Sequence, residues 1–296
     1  MDPCVITCAI SGVAANRAQC EAIPYTPEEY AAEAKRAADA GASVIHIHAR
    51  YPDGRPSFRV DEYRSITQAI LAESPDLIIN LSTGAVGVPL EERVHQITAL
   101  EPELGALNMG SMNYAKYSAK RKELLFDLVF ANPFSEITFL LEKMNSAGVK
   151  PECECFDTGH IANTAPLIDM GLLKAPIQYS LILGVLGGAP PDPRTLAHMA
   201  SLLPENSTWE VIAISRKQWE LVSAATALGG NVRVGLEDNF YLPNGEMASS
   251  NGDLIAQAAL IAQSAGRKVA SPAEARALLT LPETPDRSAL YATGSG

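Results

Sequence analysis

The chain has 296 residues, 47% hydrophobic and 19% charged, enough to bury a large core as one big barrel or as two smaller domains. Its 23 basic residues against 34 acidic ones leave a net charge of −11 with no basic run, which argues against a nucleic-acid or anionic-membrane partner. No apolar run approaches the roughly 20 residues that a spanning helix needs. Five cysteines, in a long chain whose start "MDPCVITCAI" lacks the pattern of a signal peptide, lead us to expect a reducing cytoplasm.

Eight short β-rich apolar runs follow in chain order: "CVITCAIS" at 4–11, "SVIHIHA" at 43–49, "LIINLST" at 77–83, "GALNMGS" at 105–111, "KPECECFD" at 150–157, "QYSLILGV" at 178–185, "TWEVIAIS" at 208–215 and "NVRVGLED" at 231–238. Most gaps between them read as helices. The first, "TPEEYAAEAKRAADAG", opens with Thr26 as N-cap and Pro27 at the first helical position and closes on Gly41. Strand, helix, glycine, strand is the rhythm of a parallel sheet, and eight such units predict a closed (β/α)8 TIM barrel. An open dinucleotide-binding sheet fits less well, because the first turn, "SGVAANRAQC", is no G-x-G-x-x-G. No linker or low-complexity tract divides the chain, so residues 1–296 are expected to form a single barrel domain. Its tail from about 281, "LPETPDRSALYATGSG", is expected to be a loosely ordered arm or an oligomer contact.

Barrel enzymes carry their chemistry at the C-terminal ends of the strands, and polar residues gather there in this chain. The second run ends in His46 and His48, the third in Asn80, Ser82 and Thr83, and the fourth in Asn108 and Ser111. The fifth carries Glu152, Glu154 and Asp157, the seventh ends at Ser215 and Arg216, and the eighth holds Arg233, Glu237 and Asp238.

Alternation along a strand puts His46 and His48 side by side, roughly 6 to 7 Å apart. They are either hydrogen-bonded core imidazoles or two ligands of a metal; burying two imidazoles on one face without a shared partner is costly, which favours the metal. A catalytic zinc takes a third protein ligand. His95 and His198 lie in helix-like stretches and only His160 is near a strand end, so a carboxylate is the better candidate. Glu237 fits, because the eighth strand of a closed barrel lies two strands from the second. Parity turns Arg233 the same way as Glu237, deeper in the barrel, where Asp238 or a substrate carboxylate would partner it; an ordinary structural ion pair is the alternative.

"NLSTGA", with Ser82, Thr83 and Gly84, suits an anion cradled by hydroxyls and backbone N–H groups, or is simply a strand cap. If Glu152 and Glu154 face inward, Cys153 and Cys155 face the helices as small packing residues rather than as soft-metal ligands.

Six blocks, "GASVIHIHARYPDGRP", "NLSTGAVG", "LNMGSMNY", "KPECECFDTGH", "STWEVIAISRKQ" and "GGNVRVGLEDNFY", together resemble the β-keto acid cleavage enzymes from the first strand to about Leu279. The resemblance implies a zinc-containing (β/α)8 barrel, usually a homotetramer, that exchanges acyl groups between a β-keto acid and the co-substrate acetyl-CoA. It assigns one zinc per chain to His46, His48 and Glu237. Asp238 and Arg233 become the catalytic pair, and Ser82 and Ser111 become substrate contacts. Thr83, Gly84, Glu154 and Ala14 complete the expected substrate-binding set.

One departure bears on the substrate. Members acting on an amino substrate carry a glutamate a few residues after the first strand, where this chain aligns Ala14. Alanine cannot pair with a cation, so a substrate with a neutral or apolar distal end is expected. The rival readings are a metal-dependent hydrolase, which would need more histidines on later strands; a class II-type metal-dependent aldolase, which needs no thioester; and a catalytically dead binding barrel.

Overall fold

A computed structural model describes residues 2–292. Its strands are β1 (Ile6–Ala9), β2 (Val44–Ile47), β3 (Ile78–Ser82), β4 (Leu104–Asn108), β5 (Met112–Ser118), β6 (Glu123–Phe130), β7 (Lys150–Cys155), β8 (Ile177–Leu183), β9 (Ser207–Ala213) and β10 (Asn231–Val234). All eight runs read from the sequence become parallel strands of one closed barrel, β1-β2-β3-β4-β7-β8-β9-β10, with β10 paired back to β1. Each strand is shorter than its apolar run, because the last residues of the run leave the ladder at the mouth. Gly235 makes one such departure: its φ is +151°, and a Cβ there would stand 2.1 Å from the Ala9 carbonyl oxygen.

The helices pack where the strand–glycine rhythm puts them. The helix Pro27–Ala40 starts on a capping box between Thr26 and Glu29 and ends on Gly41 at φ 114°. Outward-facing strand residues such as Ile6, Ile45, Leu81, Leu181 and Val232 join this helical layer in the main core, together with Cys153 and Cys155. Inside the barrel, Val5, Val44, Ile78 and Leu104 form an apolar floor, closed from below by Ala275 of the helix Pro272–Leu278 and by Leu279. Above that floor the lumen is polar.

Two features depart from the sequence reading. β5 and β6 form an antiparallel hairpin between β4 and β7, outside the eight-strand rhythm. A bridge between Ala115 and Leu186 and an apolar patch of Met112, Phe130, Phe156, Ile182 and Ile212 pin its base, while Leu124, Leu125, Phe126 and Val129 stay exposed. The tail is docked rather than loose. Arg287 donates to the carbonyls of Pro75 and Leu77 and pairs with Glu103 at 2.9 Å, and Leu290 is buried where Arg64 and Gln68 of the helix Val60–Glu73 grip its carbonyl. The rest of the expected arm, 293–296, lies outside the described residues. No helix among the described residues is long and apolar enough to cross a membrane.

Candidate active site

Because β2 alternates its faces, His46 and His48 both point into the barrel mouth, with ring centroids 5.2 Å apart. Their Nε2 atoms lie 3.7 and 3.5 Å from the two carboxylate oxygens of Glu237, which the turn after β10 brings across the mouth. Among the described residues these three form the group able to hold a metal ion, all three donor atoms lying within 4.8 Å of one another. The donor set fits zinc: two imidazoles and a carboxylate spaced by about the edge of a tetrahedron with bonds of roughly 2.0–2.1 Å. Glu237 Oε2 is buried and accepts no hydrogen bond, an orphan that a cation would satisfy. Burial, and then the positive charge of Arg233, holds the His46 ring well below the usual imidazole range, so it is neutral as a ligand must be. Gly12, at φ +57°, lets the loop after β1 lie against Glu237; a Cβ there would stand 2.5 Å from Glu237 Cγ.

Arg233 is the hub below this cluster. Its Nε and Nη2 donate to both oxygens of Asp238 at 3.1 Å, Nη2 also to Glu237 at 2.7 Å, and Nη1 to Glu154 at 3.3 Å. Burial pushes Asp238 up to about 7 against the pull of Arg233, and pushes Glu154 up to about 8. Glu237 goes the other way: despite burial, Arg233 and the two imidazoles hold it well below the usual carboxylate range. One carboxylate is thus suited to a cation and its neighbour to taking a proton near neutral pH.

Deeper still lies a second acidic layer. Ser180 Oγ stands 2.6 Å from Glu152 Oε1 and 3.1 Å from Glu210 Oε1, Thr7 donates to Glu210 Oε2 at 2.7 Å, and Asn80 donates to Glu152 Oε2. Ser180 has a single hydroxyl hydrogen for two carboxyls, so one of them carries a proton and donates to Ser180.

The remaining expected residues are scattered. Ser82 is buried at the end of β3 and accepts from Gly84 N–H at 3.1 Å, which gives "STG" its tight turn. The Thr83 hydroxyl donates to the Ala106 carbonyl at 2.7 Å, the strand-cap arrangement that the sequence also allows. Ser111 is exposed beyond β4, with its Oγ accepting from Asn132 N–H and its own hydrogen free. Ala14 is exposed on the loop after β1. Arg50, buried beneath that loop, gathers the carbonyls of Ser11, Gly12 and Ala15 and bonds no carboxylate.

Sequence reasoning gave no role to Glu210, Ser180, Arg50 or Tyr114. Tyr114 rides on the hairpin, its ring stacked on Phe126; burial raises its phenol, and the charges of Glu237, Asp238 and Glu154 raise it further. Its only trace in the sequence is its membership of "LNMGSMNY". His160, the one spare histidine that the sequence places near a strand end, is bound up elsewhere, with Nδ1 accepting from Phe156 N–H.

The model of the beta-keto acid cleavage enzyme family matches residues 3–281. The chain belongs to that family. The cleavage enzymes similar to it include the 3-keto-5-aminohexanoate cleavage enzyme of Fusobacterium nucleatum, 38% identical over 95% of this chain and 99% of the relative. The 3-dehydrocarnitine:acetyl-CoA trimethylamine transferase of Rhizobium meliloti is 35% identical over 93% of this chain and 96% of its own length. The 3,5-dioxohexanoate:acetyl-CoA acetone transferase of Paraburkholderia graminis is 35% identical over 94% and 95%. Among solved structures, apo ObcA superposes with a TM-score of 0.73 at 18% identity, covering 88% of this chain and 65% of that longer one, a likeness of fold.

Proposed function

We propose that the chain converts a β-keto acid and acetyl-CoA into acetoacetate and a new acyl-CoA, as a β-keto acid:acetyl-CoA acyltransferase. The observation that carries this reading is the adjacency of the His46–His48–Glu237 donor set to an aspartate with an elevated proton affinity, Asp238, clamped by Arg233. His46, His48 and Glu237 would hold one zinc, which when bound supplies a Lewis acid for the substrate's oxygens. Asp238 takes the α-carbon proton of the β-keto acid, oriented by the two hydrogen bonds from Arg233. The substrate enolate attacks the acetyl-CoA carbonyl and releases the CoA thiolate. That thiolate adds to the former keto carbon, carbon–carbon cleavage releases the acyl-CoA and the enolate of acetoacetate, and the proton held by Asp238 returns to that enolate's carbon. Ser82 and Gly84 at the end of β3, Ser111 beyond β4 and Glu154 against Arg233 are the side chains and turn available to orient the acid.

Ala14 supports a substrate with a neutral or apolar distal group, because the loop 11–18 has no carboxylate and rests on the Arg50 guanidinium. Exposed Leu124, Leu125, Phe126 and Val129 on the hairpin support self-association as a homotetramer, and five free buried cysteines support a reducing cytoplasm.

The test is acetoacetate formation from a panel of β-keto acids. Product should require both acetyl-CoA and zinc, should be lost in His46→Ala, and should be highest with uncharged side chains. A His46→Ala variant that keeps its metal and its activity refutes the metal assignment, and a preference for an ammonium-bearing substrate refutes the role given to Ala14.

A further inference from the structure

β1 and β10 pair in register through Cys8 and Val234 and then part, just where Glu237 has to be delivered. Beyond that point, Glu237 N–H still reaches the Ala9 carbonyl at 3.1 Å. Leu236, the residue before it, instead donates its N–H to the side chain of Asn251, at 3.0 Å from Oδ1. The same carboxamide donates through Nδ2 to the Ile10 carbonyl at 3.1 Å. A side-chain amide thus stands between the two diverging strands as a substitute peptide, carrying the ladder one rung further.

Its orientation is fixed from a third element. Glu33, buried on the helix Pro27–Ala40, accepts from Asn251 Nδ2 at 2.9 Å and from Asn251 N–H at 2.7 Å, both through Oε2, while Oε1 pairs with Arg36. With the NH2 face held by Glu33 and Ile10, only Oδ1 can face Leu236. Asn251 is fully buried, so none of these groups has water as an alternative partner.

We propose that Asn251 is a positioning residue for the metal carboxylate, setting Glu237, and with it Asp238, through the backbone of Leu236, with Glu33 locking the amide. The proposal rests on the reading of His46, His48 and Glu237 as zinc ligands. Partners that orient ligands in this way change metal affinity roughly 10–100-fold when removed.

Zinc affinity is measured by competition with a chromophoric chelator, alongside amide exchange at Leu236 and the kcat and KM for acetoacetate formation. In Asn251→Ala, zinc affinity is expected to fall roughly tenfold or more, kcat to fall with it, and the Leu236 amide to exchange faster. Asn251→Asp is isosteric but turns a second carboxylate toward Glu33 and the Ile10 carbonyl, and is expected to lower zinc affinity and kcat at least as much as alanine, while its retained oxygen still accepts from Leu236 N–H and slows exchange there relative to alanine. Glu33→Gln, whose amide oxygen still accepts from Asn251, should stay close to wild type and controls for folding. An Asn251→Ala protein that loses only thermal stability while keeping wild-type zinc affinity and kcat overturns the proposal, and so does unchanged exchange at Leu236. A wild-type protein that binds no zinc would instead sink the function reading, and Leu236 exchange would still decide the amide bridge.

Discussion

Glu210→Gln probes the acidic layer beneath Arg233. If one proton is shared across Ser180, folding takes it up, because a glutamate in the unfolded chain titrates near about 4.3 whereas burial and the neighbouring Glu152 push Glu210 up to about 8. Such a proton stabilises the fold fully below the unfolded value, and its contribution is lost as pH rises toward the folded one. Within that window one extra bound proton lowers stability with each pH unit, so between about pH 5 and pH 7 the wild type loses on the order of 3 kcal/mol through this group. Glutamine removes the need for a proton. It donates N–H to Ser180, still accepts from Thr7, and leaves the Ser180 hydrogen for Glu152. The assay is urea denaturation of wild type and Glu210→Gln across this pH range, where the variant's stability should fall less steeply by up to one proton's worth. Parallel pH dependences would refute the hydrogen count. Glu210→Ala should be worse at every pH, by about 2–5 kcal/mol, since it strands the Thr7 hydroxyl beside a cavity.

Gly12→Ala should weaken zinc binding roughly tenfold, because its Cβ would collide with Glu237 Cγ, and should cost about 1–2 kcal/mol in denaturation for the left-handed φ of +57°. Zinc affinity equal to wild type would show that the loop yields instead. Leu290→Ala should release the tail, costing about 2–3 kcal/mol and exposing the Arg287 region to proteolysis with kcat unchanged; a protease-resistant tail would contradict the docking.

The barrel was legible because its strands are short apolar runs with polar ends, several of them preceded by a helix that ends at a glycine, as at Gly41, Gly148 and Gly229. The His46, His48 and Glu237 convergence was legible because period-two alternation on two nearby strands fixes which side chains share the mouth. The hairpin was not. Its Leu124 and Phe126 alternate as strand residues do, but like Leu125 and Val129 on the other face they meet solvent rather than a core, so periodicity had little burial to report. Glu210 was also invisible, as one polar position within "TWEVIAIS", since no local pattern tells that β7, β8 and β9 bring Glu152, Ser180 and Glu210 to one hydroxyl. At Thr83 the sequence left two readings open, because a strand-end hydroxyl looks the same whether it meets a ligand or a neighbouring carbonyl.

The polar lumen divides the molecule's labour in space. Cohesion comes from the apolar shell between strands and helices and from the floor of Val5, Val44, Ile78 and Leu104, whereas the upper interior, from Thr7 and Asn80 up to Arg233, is a lattice of charges and hydrogen bonds. Changes in the lumen are therefore felt chiefly as unbalanced charge and stranded donors rather than as lost packing. Such a barrel can trade one substrate for another along its mouth loops while the shell that holds it folded goes untouched, which suits a scaffold whose relatives bear the names of several different keto acids.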